Sequence, residues 1–380
     1  MRPGTRAADA ILRLLSRDRA GLAIALLPAA AGARCVTGRT GRRMLGGVLW
    51  AVALALGLGS LRHLVHVARI RVRYPPPGRM VDVGGYRMHV LAEGDAGPRP
   101  TVVWMPGGHT GGYAMHRLHA LAREEMRSVL VDRPGSGWSD RGPFPRTTAA
   151  EAVELLTALE RAGEKGPYVF VGHSFGGLLM ANAARRRPDL VAGLVLLDPT
   201  PPDAVAFGPA LPALRRAPRD QTVLALRHLF GLHPLAGRNG THTSDDPARI
   251  LAMIELRTKA NCAAASILRE LSPDGITRDG WQTAVHDGEL GSLPLLLVAP
   301  RDLTGGGGIF DAVDDQEESA RVRHFFLTVR ERFLAASSSG RRIYTPEGTG
   351  HDFPDRVPDF VVQVVGSLLD RCGPGAPKPF

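Results

Sequence analysis

Val169-Phe170-Val171-Gly172-His173-Ser174-Phe175-Gly176-Gly177 decides how this chain folds. Four apolar or small residues read as a buried β-strand, and Leu178 to Arg187 read as a helix rich in Ala and Leu. Between them lies Gly-x-Ser-x-Gly, with no room for a loop. A strand that turns straight into a helix forces its serine into a strained, exposed conformation, with the hydroxyl standing clear of the sheet. Gly172 and Gly176 fit because a Cβ at either place would strike the neighbouring backbone in so sharp a turn. The bare pattern is common in a chain with 45 glycines, so its meaning rests on the strand before it and the helix after it.

Working outward, a series of short apolar runs flanks this unit. Met80 to Val90 alternates and contains Gly84-Gly85, which predicts a β-hairpin. Thr101–Met105, Ser128–Asp132, Tyr168–Gly172, Leu194–Asp198, Leu295–Ala299 and Arg342–Thr345 are short and mostly unalternating, and helical stretches such as 149–162 and 360–369 lie between them. This pattern predicts an α/β fold, with a mostly parallel sheet and helices on both faces. Ligands of such sheets bind beyond the carboxyl ends of the strands, where Gly107-Gly108, Ser174 and His351 all fall. Residues 203–290 are too long for a loop and show helical periodicity, as in 248–271; they read as a helical cap.

The net charge of +10 is misleading at first sight. Residues 1–80 hold 14 arginines and two acidic residues, whereas the rest of the chain is nearly balanced. A nucleic-acid footprint on the α/β part is thereby excluded, and the excess suits the flank of a membrane anchor. Met44 to Leu61 is an uncharged run of 18 residues between Arg43 and Arg62, enough for one transmembrane helix. About forty residues precede it, too many for an ordinary signal peptide. A lone span would keep the arginine-rich N-terminus inside and place the α/β domain outside. A second apolar run, 20–33, contains Pro28; it leaves open half of a hairpin, which would return the large domain to the cytoplasm, an interfacial helix after Ile11-Leu12-Arg13-Leu14-Leu15, or a disordered segment. The expected organisation is a basic segment (1–43), a transmembrane helix (44–66), a linker (67–79), the first part of the core (80–202), the cap (203–290), the second part of the core (291–372) and a tail (373–380). Cys35, Cys262 and Cys372 share no metal-ligand spacing, and free thiols are the simpler reading.

With these motifs in order, the chain resembles the α/β-hydrolase superfamily, in the serine-hydrolase branch with an inserted helical cap. The resemblance covers about residues 80–370. It is carried by Val81-Asp82-Val83-Gly84-Gly85, by Asp132-Arg133-Pro134-Gly135-Ser136-Gly137-Trp138-Ser139-Asp140, by Gly172-His173-Ser174-Phe175-Gly176-Gly177 and by Gly350-His351-Asp352. The resemblance implies Ser174 as nucleophile and His351 as its base. The acid is either Asp302, after the strand 295–299, or Asp198, at the end of 194–197. The long Gly305-Gly306-Gly307-Gly308 segment departs from the family's usual pattern after Asp302. The oxyanion hole would use the backbone N–H groups of Phe175 and Gly108. Pro106 stands where the family usually has histidine. The implied activity is cleavage of an ester, amide or lactone by a membrane-anchored enzyme, with a small acyl substrate, no metal and no cofactor. Two alternatives share the fold: a cofactor-free haloperoxidase or perhydrolase-like activity, and a non-catalytic receptor.

Overall fold

The computed structural model describes residues 3–36, 40–202, 212–232, 247–270, 284–301, 320, 324 and 328–372. The chain divides into two compact units. One comprises residues 1–75, 143–145 and 218–266, and the other residues 76–142, 146–217 and 267–380.

The first unit is helical. It opens with α1 (Pro3–Leu15), α2 (Ala20–Ala33) and α3 (Thr40–Arg73). Pro28 lies inside α2 without ending it. Among the described residues α3 is the one helix long and apolar enough to cross a membrane, and it overruns the apolar stretch at both ends.

The second unit holds an eight-stranded sheet in the order β1-β2-β4-β3-β5-β6-β7-β8. Its strands are β1 (Arg79–Asp82), β2 (Arg87–Glu93), β3 (Thr101–Met105), β4 (Ser128–Val131), β5 (Tyr168–His173), β6 (Val191–Leu197), β7 (Leu295–Ala299) and β8 (Gly340–Tyr344). Only β1–β2 and β2–β4 pair antiparallel; the other ladders are parallel. The strand order reverses between β3 and β5, which makes their carboxyl ends the switch point where such sheets leave a crevice. The helices are α4 (His116–Ala122), α5 (Thr148–Arg161) and α6 (Phe175–Arg186). Residues 212–270 supply α7 (Pro212–Leu229), α8 (Pro247–Glu255) and α9 (Thr258–Glu270), most of which belong to the first unit. The single helical period expected over 248–271 is thus two helices. Two more close the sheet, α10 (Phe353–Arg356) and α11 (Pro358–Cys372).

Alternation within buried strands builds two cores. Val103, Met105 and Phe170 pack with Leu155, Leu159 and Leu179 of α5 and α6 on one face. Val102, Trp104, Val169 and Val171 pack with Leu118 of α4 and Val361, Val365 and Leu369 of α11 on the other. Burying a side chain of this size contributes about 1.5–3 kcal/mol, so the two layers hold the sheet ends in place. Thr147 caps α5, its hydroxyl accepting from the Ala150 N–H at 3.1 Å. Cys35, Cys262 and Cys372 are free.

Glycine decides two places in opposite ways. A Cβ on Gly172 would lie 2.4 Å from the Gly176 carbonyl oxygen, and one on Gly176 would lie 2.3 Å from that of Met105. A Cβ on Gly366, in α11, would meet nothing within 4 Å. Gly172→Ala should therefore destabilise the protein by about 1–3 kcal/mol or more. Gly366→Ala should stabilise it by about 0.5–1 kcal/mol. Chemical denaturation of the two variants checks both signs, and a stabilising Gly172→Ala would contradict the close approach.

Candidate active site

Ser174 occupies the turn between β5 and α6 with φ 52° and ψ −122°. A non-glycine residue there is strained by about 1–3 kcal/mol and persists only where its surroundings over-determine it. The surroundings do so here. The Ser174 N–H donates to the Leu197 carbonyl at 3.0 Å, and the Ser174 carbonyl accepts from the N–H groups of Gly177 and Thr200, each at 2.9 Å. The close approaches of Gly172 and Gly176 complete the clamp.

Asp198 directly follows β6, the strand beside β5, and among the described residues is the second non-glycine residue at positive φ, 40°. Its N–H donates to the Val298 carbonyl at 2.7 Å, which extends the β6–β7 ladder to the carboxylate itself. His351 lies in the loop after β8, and its Nδ1 is 2.6 Å from Asp198 Oδ2. The other oxygen, Oδ1, accepts from Arg330, whose second Nη also donates to the Pro300 carbonyl at 2.6 Å. Burial alone would raise the Asp198 pKa. The hydrogen bond with His351 and the charge of Arg330 outweigh it and hold the carboxyl below its usual range. A buried carboxylate between an imidazole and a guanidinium stays ionised and fixes the ring's tautomer, with Nδ1 protonated and Nε2 left as acceptor. His173 adds a further hold, since its Nε2–H donates to the His351 carbonyl at 2.9 Å. Burial and the neighbouring His351 push the His173 pKa down to about 4, so its ring is neutral near pH 7.

Ser174 and His351 line one cavity of about 250 Å³, together with Gly107, Gly108, Met115 and Leu118. Gly108 adopts φ +53°, and a Cβ on Gly107 would lie 2.8 Å from the Ser174 Cβ, so this loop presses directly on the serine. Among the described residues, the N–H groups of Gly108 and Phe175 make no hydrogen bond inside the protein. Of the residues singled out from sequence, the structure thus gathers Ser174, His351, Asp198, Gly108 and Phe175. Asp302 lies outside the described residues. Among the described residues no group of three or more His, Cys, Asp or Glu side chains could hold a metal ion.

Sequence reasoning missed what holds the glycine loop. Arg133, fully buried, donates to the Gly108 carbonyl at 2.6 Å and lies 3.8 Å from Glu151. Glu151 also meets His109 at 3.2 Å and Arg146 at 3.4 Å, and Arg146 continues to Glu154, which binds the Tyr86 hydroxyl. Burial opposes ionisation of Glu151. The His109 hydrogen bond and the two arginines prevail and bring its pKa down to about 2. The network ties α5 to the loop after β3. The one sequence signal was an acidic pair, Glu151 and Glu154, on the apolar face of a core helix. The Asp132-to-Asp140 string serves a parallel purpose. Asp132 accepts from the N–H groups of Gly112 and Trp138 at 2.6 and 2.8 Å and from His89 Nδ1–H at 3.0 Å. His89 Nε2 in turn accepts from the Gly78 N–H at 3.0 Å. These residues brace the loops and do not face the cavity.

The comparisons with known proteins agree with this architecture. The sequence pattern of the alpha/beta hydrolase fold matches residues 100–224. The chain is 41% identical over 115 residues to lipase LipV of Mycobacterium tuberculosis, covering 30% of this chain and 41% of that protein. It is 29% identical over 215 residues to epoxide hydrolase A of the same bacterium, covering 53% of this chain and 61% of that protein. A probable hydrolytic enzyme from Pseudomonas aeruginosa superposes with a TM-score of 0.55 at 19% identity, over 75% of this chain and 90% of that one. The chain spans about two fifths of the length of the first curated relatives it matches, from 37% to 42%. Strand order, the turn at Ser174 and these likenesses together show the α/β-hydrolase fold.

Proposed function

We propose that this protein is a membrane-anchored serine hydrolase that cleaves an ester, amide or lactone through an acyl-enzyme. The observation that carries the reading is the 2.6 Å contact of His351 Nδ1 with the buried Asp198 carboxylate, in the loop that brings His351 to the cavity of Ser174. An unassisted serine hydroxyl is a weak nucleophile near neutral pH, and an oriented imidazole is the usual remedy. A serine at the turn also favours acyl transfer over reactions that begin from an aspartate nucleophile.

In this mechanism His351 Nε2 takes the Ser174 proton as Oγ attacks the carbonyl carbon. The carbonyl π electrons move to oxygen, and the Gly108 and Phe175 N–H groups receive the oxyanion. Such a donor contributes about 2.7–4 kcal/mol to transition-state binding. The oxyanion then collapses, the bond to the leaving group breaks, and His351 returns the proton to that group. Water repeats the sequence on the acyl-serine and releases the acid. Asp198 remains ionised throughout and stabilises the imidazolium. Asp198 serves as the acid in preference to Asp302 because it already holds the ring. The anchor is α3, whose apolar run of 18 residues is about 27 Å long at the helical rise per residue.

Two measurements follow. A fluorophosphonate probe should label wild-type protein and Asp302→Asn, and should fail to label Ser174→Ala; equal labelling of wild type and Ser174→Ala would overturn the nucleophile. With p-nitrophenyl esters of rising chain length, Asp198→Asn should lower kcat by about 10⁴-fold while Asp302→Asn stays near wild type; the reverse order would move the acid to Asp302. Arg133→Lys keeps the charge and loses the planar guanidinium whose Nη2 binds the Gly108 carbonyl while Nη1 faces Glu151. It should lower kcat by about 10²-fold with little change in KM, and wild-type kcat in that variant would deny the loop its positioning role.

A further inference from the structure

We infer that residues 20–61 enter the membrane as a two-helix hairpin, with the N-terminus, the helices of residues 218–266 and the α/β unit on one side of the bilayer. The occupant of the hairpin's outer surface is lipid: hydrocarbon along its length and headgroup phosphates at its ends. The inference rests on the membrane anchoring proposed above and is independent of the chemistry at Ser174. It departs from the single crossing that the sequence favoured.

The contacts at the base of the hairpin carry it. Asp18 lies two residues before α2, and His63 follows the apolar run of α3. The Asp18 carboxylate lies 3.3 Å from His63 Nε2, 2.9 Å from the Arg257 guanidinium and 3.7 Å from that of Arg71. Beside them, Arg62 donates to the Gly231 carbonyl, and a Cβ on Gly59 would strike the Phe230 carbonyl oxygen at 2.3 Å. A single crossing with the N-terminus on the far side would put Asp18 and His63 on opposite sides of about 30 Å of hydrocarbon. Two groups within hydrogen-bond reach share a side, so the chain between them crosses twice.

The rest of the hairpin fits that path. At the base, a Cβ on Gly21 would lie 2.3 Å from Ser60 Oγ; at the tip, one on Gly32 would lie 3.1 Å from the Gly46 carbonyl oxygen and 3.0 Å from Trp50. Close glycine contacts at both ends are how apolar helices pack without a hydrophobic driving force between them. Residues 20–33 and 44–61 contain no charge. Leu26 and Leu27 of α2 and Val48, Leu54 and Leu58 of α3 are exposed, and an apolar groove of about 640 Å³ runs between the helices. The 14 residues of α2 span about 21 Å, and Arg19 and Arg34 at its two ends extend that reach toward headgroups. Arg34, Arg42 and Arg43 mark the tip, whereas Arg6, Arg13, Arg17 and Arg19 with Arg62, Arg69, Arg71 and Arg73 mark the base. The larger arginine count keeps the base in the cytoplasm. The α/β unit begins at Pro76, directly after α3 ends at Arg73, so it stays with the base.

The test uses the full chain in sealed membrane vesicles of known orientation. Cys35 and Cys372 are replaced by serine, the buried Cys262 is kept, and single cysteines are introduced at exposed positions as Arg17→Cys, Val36→Cys and Val72→Cys. A membrane-impermeant maleimide should label Arg17→Cys and Val72→Cys from the same face, and Val36→Cys from the opposite one. Labelling of Arg17→Cys and Val72→Cys from opposite faces would overturn the hairpin while leaving the anchor intact. Recovery of the protein in the soluble fraction would overturn both, and Val36→Cys labelling with the other two would show that the hairpin does not cross.

Discussion

The candidate site depends on how closely four backbone segments meet around Ser174. The ends of β3, β5 and β6 and the start of α6 approach so tightly that only glycine fits at 172 and 176. That closeness holds the serine at positive φ and at the rim of the sheet. It also puts Asp198, on the adjoining strand, at the same level, and presses Gly107 onto the serine's own Cβ. Strain of about 1–3 kcal/mol at Ser174 is small beside the two buried layers that enforce it.

Around this turn the protein uses charge where apolar packing cannot specify direction. Arg330 and His351 share one carboxylate, and Arg133 and Arg146 share another. Removing one partner from such buried sets leaves an uncompensated charge and is strongly destabilising. A methylene can slide within an apolar layer, whereas a guanidinium bound to the Gly108 carbonyl fixes that peptide's orientation. The same Arg133 Nη2 lies 3.5 Å from the Gly107 carbonyl, whose peptide carries the Gly108 N–H, so both peptides of the loop keep their course beside Ser174.

Most of the fold was legible because its strands are buried on both faces. Continuous apolar runs such as Thr101–Met105 and Leu295–Ala299 mark their own ends, and the observed strands keep those bounds. The serine turn was legible because glycine spacing, strand and helix coincide within a dozen residues. The carboxylate partner of His351 was not, because Asp198 and Asp302 both follow apolar runs, and only the path of the loop after β8 brings His351 to Asp198. Glu151 escaped notice for a different reason: its partners, at 109, 133 and 146, come together only through the crossovers of the sheet. The same holds for Asp18, whose partners stand 45 and 239 residues away. Pro28 was a poor guide, since its helix continues through it.

The most direct test of the central claim is a crystal structure of the protein with a phosphonate bound. The phosphorus should lie on Ser174 Oγ, with one phosphonyl oxygen within about 2.7–3.1 Å of the Gly108 and Phe175 nitrogens and the Asp198 carboxylate on His351 Nδ1. Phosphorus on another residue, an oxygen pointing away from both amides, or the Asp302 carboxylate on that nitrogen would contradict it.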